Sequence, residues 1–404
     1  MFKSISKNAL FITAVLLFTG CGGGGGSSDN NNNQNLNRTI TGKAIDGYIK
    51  NATVCLDTDK DNNCSDEKEY NITDENGSYT LIVSGNINEG TPLIVQGGID
   101  TDTGGEINAT FKAPYDGSES INITPLTTLA YNIIESNKSI KIEEAYEKVA
   151  EVLGLDDPDK VKTDYIEKNN TVIVKKVLKI HQTAVLLAKE TNKPVDKIYE
   201  HLSEGILEVS QQNTSYEDLN ITNIVNKSGI SNDINNTIIE KVEIIEKAIK
   251  EINESNKTID ELALIIDKVR EKIENNNSIS NDNDVNISAL LNSIDPIEVK
   301  IENILENEFN ITNSNITTNI ETIISDLNIT SASNISKEKL CELKDINNTI
   351  YQQLQLDKEC EDSNNIENIQ ENLILPPTVP IINNNGEINS SQGELALPPT
   401  VPQI

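Results

Sequence analysis

The 404-residue chain has no tryptophan, one methionine, two histidines and only 4% aromatic residues. Stacking clefts for cofactors or sugars are built from aromatic faces, so that scarcity speaks against both. Cations are also few: 33 Lys+Arg stand against 64 Asp+Glu, a formal net charge of −31. Nucleic-acid binding needs clustered Lys and Arg, so DNA and RNA are excluded as partners. Docking on anionic lipid through a basic patch is excluded for the same reason. No apolar run reaches the ~18 residues of a membrane-spanning helix. GxSxG, HExxH, Walker and GxGxxG patterns are all absent. His181 and His201 have no Ser/His/Asp or Cys/His set around them in sequence, and read as packed or surface residues.

What is present begins with an address. Lys3 and Lys7 precede an apolar stretch over residues 8–19, too short to span a bilayer comfortably. Leu17-Phe18-Thr19-Gly20-Cys21 follows, and resembles the lipobox of bacterial lipoproteins, with Phe18 where leucine is usual. That resemblance implies a signal peptide over 1–20 and lipidation of Cys21. Gly22 at the next position implies sorting to the outer membrane, with the lipid as anchor. A Gly/Ser/Asn stretch over 21–37 reads as a disordered leash spanning ~20–25 Å.

Cys21 apart, four cysteines remain: Cys55, Cys64, Cys341 and Cys360. Three pairings are open, and sequence proximity favours Cys55–Cys64 and Cys341–Cys360. Disulfides persist outside the cytoplasm, and a loop of about ten residues contributes ~2–3 kcal/mol when closed without strain. Zinc is a poor alternative, because no CxxC spacing occurs and the histidines are far away.

Residues 38–124 alternate short β-rich runs with turn signals. The runs are 39–44, 52–57, 70–73, 78–83, 92–96, 106–111 and 120–123, which predicts a seven-stranded Ig-like β-sandwich. Ala52-Thr53-Val54-Cys55-Leu56-Asp57, followed by Thr73-Asp74 and Asn76-Gly77-Ser78-Tyr79, resembles the carboxypeptidase-regulatory-like and Cna-B-type modules of bacterial surface proteins. Fold follows from that resemblance, but activity does not.

Inside this region runs an acidic segment over 57–69. Asp57, Asp59 and Asp61 occupy positions 1, 3 and 5 of an EF-hand-like loop, and Asn62 at position 6 tolerates the left-handed turn. Lys68 fails position 12. Asp66, Glu67 or Glu69 must then close a site, with Asn63 as a further oxygen donor. A structural Ca²⁺ site clamped by Cys55–Cys64 is one reading, and a solvated acidic turn held by the disulfide is the other. No histidine or general base accompanies these residues, so catalysis is not indicated.

From residue 125 to 357 the period changes to that of helices. Thr124 and Pro125 form an N-cap and N1 pair. The string Thr124-Pro125-Leu126-Thr127-Thr128-Leu129 resembles the linker that leads into helices in multidomain surface lipoproteins. Further helices are expected over 142–153, 172–191, 194–209, 232–252, 258–274, 285–305, 316–327, 337–344 and 350–356. The chain thus reads as multidomain: an all-β module, an all-α helical body and a disordered C-terminal tail over 358–404.

Asparagine is the most distinctive residue, with 55 copies. Asn-x-Ser/Thr occurs 23 times, against about 8 for random placement of an acceptor tripeptide. An acid two residues before the Asn should leave about one such site by chance. Sixteen occur: Asn63, Asn71, Asn76, Asn108, Asn137, Asn169, Asn220, Asn235, Asn253, Asn256, Asn276, Asn286, Asn310, Asn328, Asn347 and Asn389. This extended form resembles the acceptor of bacterial periplasmic oligosaccharyltransferases. Asn63 sits too close to Cys64, and Asn253 and Asn256 read as helical, which leaves thirteen glycosylation candidates. Asx-turns and N-caps are the rival explanation, since they draw on the same residues.

Leu375-Pro376-Pro377-Thr378-Val379-Pro380 recurs as Leu397-Pro398-Pro399-Thr400-Val401-Pro402. Such repeats form extended spacers or dock bivalently on a partner. Together these features read as a glycosylated, lipid-anchored cell-envelope protein. It would be a non-enzymatic scaffold for adhesion or structure, with an envelope or extracellular protein as partner. The rival is a ligand-capturing lipoprotein, which a large apolar pocket with convergent polar groups in the helical body would favour. A buried carboxylate pair in a cleft would favour an enzyme.

Overall fold

The computed structural model describes residues 37–212, 220–252, 257–275, 285–311, 314–357 and 359–360. The lipobox, Cys21, the leash up to Leu36, Asn253, Asn256, Asn276, Asn389 and both Pro repeats lie outside the described residues, while Asn37, expected to end the leash, opens the first strand.

Strands come first: β1 (Asn37–Lys43), β2 (Ile49–Lys50), β3 (Thr53–Leu56), β4 (Tyr70–Ile72), β5 (Ser78–Ser84), β6 (Pro92–Gln96), β7 (Ile99–Asp100) and β8 (Phe111–Pro114). They form three small antiparallel sheets: β1 with β5, β2 with β7, and a four-stranded sheet in the order β4-β3-β6-β8. Period-two alternation sets the faces. In β5 Tyr79, Leu81 and Val83 are buried, while Thr80, Ile82 and Ser84 are exposed. Two expected runs behave differently. Over 106–111 only Glu106 bridges, to Ile99, and the ladder starts at Phe111 opposite Val95. Over 120–123 there are only isolated parallel bridges, Ser120 to Thr41 and Ile123 to Ala44.

Helices follow: α1 (Pro125–Ser136), α2 (Ile142–Val152), α3 (Thr171–Thr191), α4 (Val195–Ser210), α5 (Ile221–Lys227), α6 (Asn236–Glu251) and α7 (Ile259–Asn275). The rest are shorter: α8 (Ile287–Asn292), α9 (Pro296–Asn307), α10 (Ser314–Asp326), α11 (Lys337–Cys341), α12 (Leu343–Ile346) and α13 (Asn348–Gln353). The helix expected over 285–305 is two. Asp295 caps α9 by accepting the Ile297 N–H, and Pro296 takes N1, where its missing N–H costs nothing. Among the described residues no helix is long and apolar enough to cross a membrane.

Strands meet helices at Thr124. Its hydroxyl accepts the Leu126 and Thr127 N–H groups at 3.1 Å, and Thr127 Oγ1 accepts the Thr124 N–H at 2.8 Å. That is a reciprocal capping box. Thr127 Oγ1 also donates to the Lys112 carbonyl on β8 at 2.7 Å, and Thr128 Oγ1 accepts the Lys112 N–H at 2.8 Å. Every residue from Thr124 to Leu129 is buried. This stretch is therefore an interior joint rather than a surface linker.

One hydrophobic core runs through the joint. It extends from Ile40 on β1 by way of Phe111, Leu126, Ile180 and Ile265 to Val299 on α9. A second core gathers Ile301, Leu305, Ile323, Leu343, Tyr351 and neighbours, and includes Cys360. Both expected disulfides are present, Cys55–Cys64 and Cys341–Cys360.

Gly205 on α4 faces α5, and a Cβ there would stand 2.3 Å from the Ile224 carbonyl oxygen. Helix propensity alone favours alanine by ~1 kcal/mol. Overpacking against backbone costs more, so Gly205→Ala should destabilise the fold by about 1–3 kcal/mol. Urea unfolding checks this, and a stabilised variant would contradict the packing.

Candidate functional site

The acidic loop is organised from Asp57 outward. Asp57 is fully buried, and its two oxygens accept the Lys60 and Asn62 N–H groups at 2.7 and 3.0 Å. Lys60 and Asn62 both take positive φ, 64° and 63°, so Asn62 makes the turn expected of it. Gln96 fixes the loop to β6 by accepting the Cys64 N–H at 2.9 Å and donating to the Asn62 carbonyl at 2.6 Å. Asp57, Asp59 and Asp61 bring one oxygen each within 4.8 Å of one another, an arrangement that could hold a metal ion. Partial desolvation within the loop, then the charges of Asp59 and Asp66, raises the carboxyl of the exposed Asp61 above its usual range. Asp57 is raised too, mainly by burial and against the pull of its two N–H donors.

The expected closing ligands go elsewhere. Glu67 accepts the Thr58 N–H and hydroxyl, Glu69 accepts the Ser84 N–H, and Asn63 accepts the Ser65 N–H. Asp66 is close enough to raise Asp61. Of the seven candidate ligands, the structure gathers three.

Most described acceptor asparagines sit at turns and helix ends, whereas Asn71 lies within β4 opposite Val54. Asn220, Asn235, Asn286 and Asn347 are N-caps of α5, α6, α8 and α13, each accepting a backbone N–H through Oδ1. Asn137 is the C-cap of α1. Asn169, Asn310 and Asn328 take positive φ, and Asn76 lies at an exposed hairpin tip. Asn71 and Asn347 are half-buried, and Asn108 is exposed. Asn71 Oδ1 accepts the Thr80 N–H, and Asn347 Nδ2 donates to Asp326 at 2.7 Å.

A second constellation lies where strands meet helices, and sequence gave no hint of it. His181 on α3 places Nε2 3.3 Å from Asp46 Oδ2 and Nδ1 2.9 Å from the Tyr199 hydroxyl. Burial lowers the imidazole to about 4 and raises the Asp46 carboxyl to about 7, since it disfavours both charges. Asp100 is pushed up to about 6 by burial and the Asp46 charge, and Asp102 is also raised by burial and Asp100. Gly47 permits this crowding: a Cβ there would stand 1.9 Å from Asp100 Oδ1 and 2.7 Å from Asp102 Cγ. Arg270 lies nearby, holding Gln182, Asp267 and Glu274.

Two cavities flank these carboxylates. One of about 240 Å³ is lined by Asp46, Asp100, His181 and Arg270, among others. Another of about 450 Å³ is lined by Asp102, Asp260 and Lys300. Comparison of the chain with protein-family models, curated proteins and solved structures gives no match.

Asp46 binds its proton more tightly folded, at about 7, than unfolded, at about 4. Its contribution to stability is full below pH 4 and is lost as pH rises through 7. Asp46→Asn keeps a neutral polar group. We expect the variant to match the parent near pH 4.5 and to exceed it by about 1–3 kcal/mol at pH 8.5 in urea unfolding. A variant less stable at pH 8.5 would contradict the assignment.

Proposed function

We propose that this chain is a glycosylated, lipid-anchored protein of the outer membrane that serves as a non-enzymatic adhesion or interaction scaffold. One observation carries this reading. The acceptor asparagines Asn76, Asn108, Asn137, Asn169, Asn220, Asn235, Asn286, Asn310 and Asn328 are all exposed. Capping engages Oδ1 of Asn220, Asn235 and Asn286, whereas a glycan attaches through Nδ2, so both uses are chemically compatible. The two disulfides agree with export. In this reading Cys21 carries the lipid, the leash sets the body off the membrane, and Ca²⁺ bound by Asp57, Asp59 and Asp61 stiffens the acidic loop. The small sheets are a reduced Ig-like sandwich. Ile40 and Leu81 of the β1–β5 pair share a core with Val54, Leu93 and Phe111 of the four-stranded sheet, which supports it.

Asp46 and Asp100 are a buried carboxylate pair at the 240 Å³ cavity, the arrangement that would favour an enzyme, but His181 beside them has no free nitrogen to serve as base. Both of its nitrogens face interior groups, and Tyr199 is fully buried. A second reading, capture of a small solute, is favoured by the 450 Å³ cavity and its carboxylates.

Intact mass of protein isolated from its native envelope should exceed that of the lipidated polypeptide, and Asn76→Gln should remove one glycan mass. A mass equal to the lipidated polypeptide alone would sink glycosylation. Calorimetric titration of the full chain with Ca²⁺ should show one site that the double change Asp59→Asn, Asp61→Asn abolishes. No heat from the parent chain would rule the metal out.

A further inference from the structure

Five large hydrophobic side chains are exposed among the described residues, and three stand together: Tyr70 at 61%, Ile72 at 49% and Ile82 at 56%. Val172 and Ile346, the other two, lie apart on α3 and α12. Tyr70 and Ile72 are alternate residues of β4 and so share one face. Two hydrogen bonds set β4 antiparallel beside β5. Asn71 Oδ1 accepts the Thr80 N–H at 3.1 Å, and Glu69 accepts the Ser84 N–H at 3.0 Å. They bracket Tyr70 opposite Ile82. The face continues onto β1, where the exposed Thr41 and Thr39 pair with the exposed Thr80 and Ile82. None of these six residues is charged, in a chain whose composition is 24% charged.

The C-terminal tail holds an equally uncharged stretch. No Asp, Glu, Lys or Arg occurs over residues 372–386, which contain Leu375-Pro376-Pro377-Thr378-Val379-Pro380. Three of those six residues are proline and have no N–H, so the segment cannot add as a strand to a sheet edge. Polyproline II packing on aromatic and aliphatic side chains is the contact open to it.

The described chain ends near this face. Cys360 is bonded to Cys341 at the end of α11, and Glu359 lies 3.3 Å from Lys337 at its start. Ser336, just before α11, lines the same 450 Å³ cavity as Glu75, and Glu75 follows Ile72 by three residues. The fourteen residues 361–374 can reach ~46–50 Å when extended, well beyond the width of that cavity. Leu397–Pro402 lies behind a linker of 36 residues. Effective concentration falls roughly as the −3/2 power of linker length, which favours the nearer repeat about fourfold.

We propose that Leu375–Pro380 docks on this face of its own chain, its prolines against Tyr70 and its Leu375 and Val379 against Ile72 and Ile82. The second repeat is then the one left open to a partner.

The test is hydroxyl-radical footprinting of the full chain, read residue by residue by mass spectrometry. The double change Leu375→Ser, Pro377→Ser should raise oxidation of Tyr70 at least threefold. The matching change Leu397→Ser, Pro399→Ser should leave Tyr70 as it is in the parent. Reciprocally, Ile82→Asn, at an exposed position, should raise oxidation of Leu375. Unchanged oxidation of the half-buried Tyr48 checks that each variant remains folded. Equal oxidation of Tyr70 in the parent and the first-repeat variant would overturn the proposal, and so would a rise produced by the second-repeat variant alone. Protection of Tyr70 that fades on hundredfold dilution would place the tail of a second copy there and overturn docking within one chain.

Discussion

The peptide groups of Lys112 are the point on which the fold turns. Lys112 lies on β8, an edge strand whose outer backbone groups would otherwise face away from any partner. Thr128 accepts its N–H and Thr127 donates to its carbonyl, so the first turn of α1 stands in for a neighbouring strand. Because Thr124 caps the same turn, the end of the sheet and the start of the helix are fixed by one set of buried hydroxyls. Removing any of them would leave a backbone group in the interior without a partner. Leu126 and Leu129 can then enter the core beneath the strands.

Other ties repeat that pattern between β region and helices. Lys43 on β1 reaches Asp164 at 2.7 Å, and Lys50 on β2 reaches Glu308 at 2.9 Å. Asn303 and Asn307 on α9 donate to the Thr103 and Gly104 carbonyls at 2.9 Å. These contacts build the seam that holds Asp46, Asp100, Asp102 and His181. Burying so many acids is unfavourable unless protons, cations or hydrogen bonds compensate. At the seam burial answers that cost by raising the proton affinity of Asp46, Asp100 and Asp102.

Legibility followed range. Period-two alternation predicted β5 well, and Thr124-Pro125 marked the start of α1, because each signal is contained in a few residues. Both disulfides followed from cysteine proximity. The i, i+2, i+4 spacing of Asp57, Asp59 and Asp61 was visible for the same reason. Glu67 and Glu69 were not assignable, since their partners Thr58 and Ser84 were set by folding of the loop and by a neighbouring strand. α5 is only seven residues, too short for a helical period to register. His181 and Asp46 are joined by tertiary packing across 135 positions, and no local pattern marks either. Composition allows Asn220, Asn235, Asn286 and Asn347 to cap helices, but only the fold shows which N–H each Oδ1 accepts.

The central claim is that strands and helices share one core through the Thr124–Leu129 joint and therefore open together. Native-state hydrogen exchange read by mass spectrometry tests it most directly. Peptides from β6, β8, α1 and α4 should exchange with the same dependence on denaturant and merge into one global opening. Strand peptides that stay protected after α1 and α4 have opened, or the reverse, would show two independently folding parts and contradict the account.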